Sequence, residues 1–188
     1  MRNVVFALVT ACSLSFAAEP VNRHDFKLLA TSKTSTMEKE MNAAAGEGYA
    51  FRGVMGGETA FGGKEVVVVM GRSNRPAKRI YKLLAASKTS TLEKEMQSAG
   101  EEGFEYKGQT VFESTFGGRE VALIMERDTA VPARSVGYRL VATAKTSTMQ
   151  KELSDAGAGG YDLLGMTVGK TAFGGSEIVC ILRQRAGD

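Results

Sequence analysis

Histidine and cysteine are nearly missing from this chain of 188 residues, with one His and two Cys. Without them a clustered metal centre has no nitrogen or sulfur donors to converge. With His24 as the sole histidine, no Ser-His-Asp arrangement can be drawn either. Charge of one sign is also lacking. The formal net charge is +3, far from the concentrated basic stripe of a nucleic-acid binder, so nucleic acid is not an expected partner. No apolar run reaches the roughly 20 residues that span a bilayer, so no membrane span is expected.

What is abundant is repetition. The segments Phe26 to Met41, Tyr81 to Met96 and Tyr138 to Leu153 are one unit written three times, and Phe-Gly-Gly recurs at Phe61, Phe116 and Phe173. The spacing is 55 residues from Lys33 to Lys88 and 57 from Lys88 to Lys145. A unit of that length buries too little surface to be comfortable alone, so the copies are expected to share their burial.

Residues 1–17 read as a secretory signal. Arg2 supplies a positive start, Val4 to Phe16 is apolar, and Ser15-Phe16-Ala17 places small residues where a signal peptidase reads. The expectation is a chain exported to the periplasm or beyond. The alternative is a lipoprotein, because Val9-Thr10-Ala11-Cys12 resembles the bacterial lipoprotein box, with Cys12 as the acylated residue. Loss of the signal leaves Cys180 unable to form an intramolecular bridge, and its apolar neighbours predict a buried, inert thiol.

Three repeats follow, over 24–73, 79–128 and 136–185. Each opens with a short apolar strand. Ser35 to Glu38, Ser90 to Glu93 and Ser147 to Gln150 fit a capping box and predict the helix starts. Met37, Met41 and Ala44, with their counterparts in the other copies, form the apolar stripe of each helix, and glycines end it. An aromatic at Tyr49, Phe104 or Tyr161 opens a second strand, and Val66 to Met70, Val121 to Met125 and Ile178 to Leu182 are third strands apolar on both faces. The fold expected is α+β: three tandem β-α-β-β repeats, each a three-stranded sheet in the order first, third, second with one helix. Their packing is expected to have approximate threefold pseudo-symmetry, in a ring with helices outside. The basic cluster Arg72, Arg75, Lys78 and Arg79 reads as a solvated connector.

The order of apolar strand, Lys/Glu-rich helix, Gly-Tyr or Gly-Phe strand entry and apolar hairpin resembles the bacterial domain-of-unknown-function family 4177, over residues 24 to 185. The resemblance implies the fold, and the family carries no established catalytic residues to transfer.

That strand order gathers the most repeated residues at one end of each unit. The candidate rim comprises Lys33, Thr34, Ser35, Phe61 and Glu65 in the first copy, and Lys88, Thr89, Ser90, Phe116 and Glu120 in the second. Lys145, Thr146, Ser147, Phe173 and Glu177 complete it in the third. Helix N-termini, lysines and hydroxyls together suit a small anion or polar ligand. The same residues also read as architecture, with Ser and Thr capping the helix, Lys paired to the Glu opposite and Phe plugging a neighbour. Gly165 to Thr171 has the wrong spacing for a nucleotide loop and lies in a hairpin. No cofactor is expected. The function expected is a non-catalytic binding or structural module of the bacterial cell envelope; the alternatives are a ligand binder using the rim and, third, an enzyme of unassigned class.

Overall fold

The computed structural model describes residues 25–58, 64–73, 78–113, 119–170 and 175–184. The signal segment, Cys12, Arg75 and the three hairpin phenylalanines Phe61, Phe116 and Phe173 lie outside the described residues.

In the first copy, β1 (Phe26–Thr31) leads to α1 (Thr34–Gly46), then β2 (Tyr49–Glu58) and β3 (Lys64–Arg72). The second copy is β4 (Arg79–Ala86), α2 (Thr89–Glu101), β5 (Glu105–Glu113) and β6 (Arg119–Asp128). The third is β7 (Tyr138–Thr143), α3 (Thr146–Ala158), β8 (Tyr161–Lys170) and β9 (Ser176–Gln184). Each copy forms its own antiparallel sheet, in the orders β1-β3-β2, β4-β6-β5 and β7-β9-β8. The fold is α+β with three β-α-β-β repeats, and the last strand of each copy is central, as its apolar sequence requires.

The helices end where the sequence has glycine. Gly48, Gly103 and Gly160 adopt φ of 91°, 85° and 82°, a left-handed conformation that side chains with a Cβ resist. The helix starts differ from expectation. The N-cap positions are Lys33, Lys88 and Lys145, with no side-chain cap hydrogen bond, and the serines fall inside the first turn. The capping boxes do not form because each helix starts two residues earlier; Glu38 and Glu93 reach into the next copy instead, and Gln150 bonds to Ser154.

Each sheet has an inner face that carries its own helix and an outer face turned away from it. Inside the first copy, Met37 and Met41 pack on Val66, Val68 and Met70, all fully buried. That same core includes Tyr81, Leu83, Ala122 and Ile124 from the outer face of the second sheet. The next core repeats the plan: Leu92 and Met96 meet Leu123 and Met125, and onto them come Tyr138, Leu140, Val179 and Ile181 of the third sheet. The third helix and sheet close the series around Met149, Cys180 and Leu182.

The copies therefore pack with repeating geometry, each sheet laid on the copy before it. Two features depart from the ring. Helices α1 and α2 sit within the joints, packing against β4 and β7 of the following copy. The stack is also open, because no other described copy covers the outer face of the first sheet: Phe26 is 58% exposed and Leu28 69%, and the Arg52 side chain of the same copy lies over Gly71 of β3. A central strand apolar on both faces is buried on both faces only where another described copy packs on its outer face. Val121 to Met125 is fully buried, whereas Val67 and Val69 of β3 are half-buried.

Candidate functional site

Antiparallel pairing brings Thr31 opposite Val66 and Glu58 opposite Lys64. Lys33, the start of α1 and Glu65 therefore share one end of the first copy, and the second and third copies repeat this placement. The topology thus places the described rim residues together, as the sequence implies.

Their bonding is not what the sequence suggests. Lys33, Lys88 and Lys145 are exposed, and among the described residues none of them is paired to Glu65, Glu120 or Glu177. As N-cap residues they serve through the backbone, each carbonyl accepting from the first helical turn, as in Met37 N–H to Lys33 O at 3.1 Å. Thr31 Oγ1 and Thr143 Oγ1 then accept from the N–H of Lys33 and Lys145, both at 3.2 Å. Among the described rim residues, a side-chain bond runs between copies: Thr89 Oγ1 donates to Glu177 Oε1 at 2.6 Å. Beside it lies a cavity of about 10 Å³, lined by Thr89, Glu120, Val121 and Gly169. That is room for roughly one water, so any larger group at the second rim would sit on its outside.

Sequence reasoning missed the residues that join the copies. Glu38 Oε2 accepts from the N–H of Leu83 at 2.9 Å, and Glu93 Oε1 accepts from the N–H of Leu140 at 3.1 Å. One turn along, the Asn42 amide makes a two-way bond to Tyr81, accepting from its N–H at 2.8 Å and donating to its C=O at 2.9 Å. Gln97 Nε2 donates to the C=O of Tyr138 at 3.4 Å. The tyrosines answer: Tyr81 Oη accepts from the N–H of Phe51 at 3.0 Å and donates to Glu126 at 2.6 Å. Tyr138 Oη accepts from the N–H of Tyr106 at 2.9 Å. Burial, followed by the bond to Glu126, pushes the Tyr81 hydroxyl well above the ordinary tyrosine range. The signal was present as identical Glu and amide positions in two copies and Gln150 and Ser154 in the third.

Glycine marks the closest approach. A Cβ on Gly108 would stand 3.1 Å from Phe51 Cζ, and one on Gly165 only 2.5 Å from the Tyr106 hydroxyl and the Gln109 amide oxygen. Gly53, the same position in the first copy, has nothing within 4 Å.

Two further clusters lie off the rim. Asp25 binds Arg72 at 2.8 Å and accepts from Tyr49 Oη at 2.8 Å, which holds its carboxyl below the usual range and ties the start of β1 to the end of β3. Arg72 and Arg79 are thus not solvated linker residues, since Arg79 also pairs with Glu126 at 3.9 Å with its side chain 14% exposed. Under the connector 129–137 lies a cleft of about 530 Å³ bordered by Glu105, Glu126, Arg127, Asp128 and Arg134. Its acids are largely engaged: Asp128 accepts from the N–H of Lys78 and of Ala130, and Glu126 from Tyr81. Arg127 Nε is buried there without a hydrogen-bond partner. Cys180 is 1% exposed, and burial pushes its thiol up, as expected of a core cysteine.

Among the described residues, no group of three His, Cys, Asp or Glu side chains could hold a metal ion, and no helix is long and apolar enough to cross a membrane. Comparison of the chain with protein-family models, with curated proteins and with solved structures finds no match.

Proposed function

We propose that the chain is an exported, non-catalytic module of the bacterial cell envelope that works through its outer surfaces. The observation carrying this reading is the distribution of exposed apolar side chains. Eight large ones stand exposed among the described residues, and six of them lie on the two ends of the stack: Phe26, Leu28 and Met55 on one, Leu163, Met166 and Val168 on the other. Apolar patches of that kind mark contact surfaces. Glu38, Glu93 and Asn42, meanwhile, are committed to holding the copies together.

The test is fractionation of cells expressing the full chain. The expected result is a periplasmic or extracellular protein shortened by residues 1–17, or a membrane-anchored one beginning at Cys12. An unprocessed cytoplasmic chain would overturn export. Retention in the envelope fraction should fall in Leu28→Asp and persist when Lys33, Lys88 and Lys145 are all replaced by Met.

The second reading, a small anion held at the rim, draws on the exposure of those three lysines. A thermal-shift screen against anions, nucleotides and sugars tests it. Ligand far above its dissociation constant should stabilise the chain by roughly 2 to 4 kcal/mol, and the triple Lys→Met variant should lose the shift.

A further inference from the structure

We propose that the chain associates head to tail with further copies of itself, the bare outer face of its first sheet receiving the third repeat of another molecule. This rests on the reading of the two ends as working surfaces and names their partner.

The interface is one that the molecule already makes twice. In each internal joint, an outer sheet face with an aromatic, a leucine and an alanine on its first strand lies on the helix and inner face of the preceding copy. At the first joint these are Tyr81, Leu83 and Ala85, packed on the first copy. At the second they are Tyr138, Leu140 and Ala142, packed on the second. The docked tyrosines and leucines are 2 to 9% exposed, yet Phe26 and Leu28, which hold the same positions in β1, are 58% and 69% exposed.

The glycine of the joint is retained as well. Gly108 and Gly165 are tightly approached by the preceding copy, and Gly53 is open. A position built for close approach is therefore present at Gly53 with no described residue against it.

The complementary surface is at the other end. Phe51 and Val54 of β2 lie under the second copy and pack into the first joint. The bulges at Phe51/Gly53 and Leu163/Gly165 fall at the same place in β2 and β8. Leu163 and Met166 thus hold the positions of Phe51 and Val54, on the face shared with Leu182 and Cys180. No described copy packs on them, and they are 53% and 59% exposed.

Head and tail are different surfaces, so the contact is heterologous. Such a contact leaves a free head and a free tail after every addition, giving an open filament or, if the rotation closes, a ring. Two departures make it weaker than the internal joints. Phe26 lacks the hydroxyl with which Tyr81 and Tyr138 accept a backbone N–H. Gln150 and Ser154 stand where Glu38 and Asn42 bind the next strand, and they bond to each other instead. The association is accordingly reversible and concentration-dependent.

The experiment is sedimentation velocity of the purified, processed chain from about 10 µM to about 1 mM. The mass should rise with concentration. Leu28→Asp at the head and Met166→Asp at the tail should each raise the concentration needed at least about tenfold, because each would bury an unpaired carboxylate. Both positions are exposed, and unchanged circular dichroism confirms folding. Mixing the two variants is the decisive arm: one retains a tail and the other a head, so the mixture should form dimers and stop there. A chain that stays monomeric throughout overturns the proposal, while the envelope reading answers separately to its own fractionation test. So does association that survives in Met166→Asp alone, which would mean a head-to-head contact, or assembly that neither substitution weakens.

Discussion

The outer faces of the second and third sheets carry the same aromatic-leucine-alanine pattern on their first strand as the outer face of the first, yet two are core and one is surface. Leu140 is 7% exposed and Leu28 69%. Nothing local separates them, since both follow an aromatic and a basic residue in a short strand and precede a helix of the same length. What differs is that another described copy packs on Leu140 and none packs on Leu28. In a repeat array each unit contacts mainly its neighbours, so burial is a property of the joint rather than of the residue.

The sharpest way to break this comparison is to truncate equivalent leucines. Leu140→Ala should cost about 3 kcal/mol in urea unfolding, the usual range for a buried leucine. Leu28→Ala should cost under about 0.5 kcal/mol in dilute solution. Equal costs would mean that the first face is covered.

Glycines at matching helical positions should differ in sign. A Cβ on Gly100 would lie 2.2 Å from the carbonyl oxygen of Val136, whereas Gly157 has nothing within 4 Å. Gly100→Ala is therefore expected to destabilise by about 2 kcal/mol through overpacking. Gly157→Ala should stabilise by up to about 1 kcal/mol through helix propensity. Thermal melts of the two variants check both.

Removing the carboxylate that joins copies should have a smaller effect. Glu38→Ala leaves the N–H of Leu83 without its acceptor, costing about 1 to 2 kcal/mol. Gln150→Ala, at the same position in α3 but bonded only to exposed Ser154, should cost no more than about 0.5 kcal/mol. Chemical denaturation of both variants is the measurement.

The last contrast is in pH. Burial pushes Tyr106 up to about 12 and raises Tyr138 as well, and both lie at the second joint. An acid whose folded pKa is raised contributes stability that is complete below its unfolded pKa, about 10 for tyrosine. That contribution is lost as pH climbs from about 10 through about 12. Alkaline unfolding should begin in that window, and Tyr106→Phe should delay it. Absorbance at the tyrosinate band and circular dichroism, followed together, resolve the two events.

Much of the unit was legible before any coordinate. Met37, Met41 and Ala44 declare a helix face, Gly48 a left-handed stop, and the apolar run at Val121 to Met125 a central strand, because these depend on local periodicity and backbone conformation. The rim was legible as a place, since strand order alone brings Lys33, Glu65 and the helix start together. Its bonding was not. Glu38 satisfies every local rule for a capping box, but the N–H of Leu83, 45 residues away, offers it a partner desolvated in the joint. Gly53, Gly108 and Gly165 were visible as a repeat, while the reason for them lies in the neighbouring copy.

By itself, then, the sequence determined the number of copies, the elements of each and the order of strands, because those follow from short-range pattern and chain connectivity. Only the tertiary structure decided that α1 and α2 face the next copy, that Glu38 and Glu93 act across joints, and that the described copies leave two unmatched faces. Those outcomes depend on which surfaces meet, and identical side chains at Leu28, Leu83 and Leu140 carry no record of whether anything lies against them.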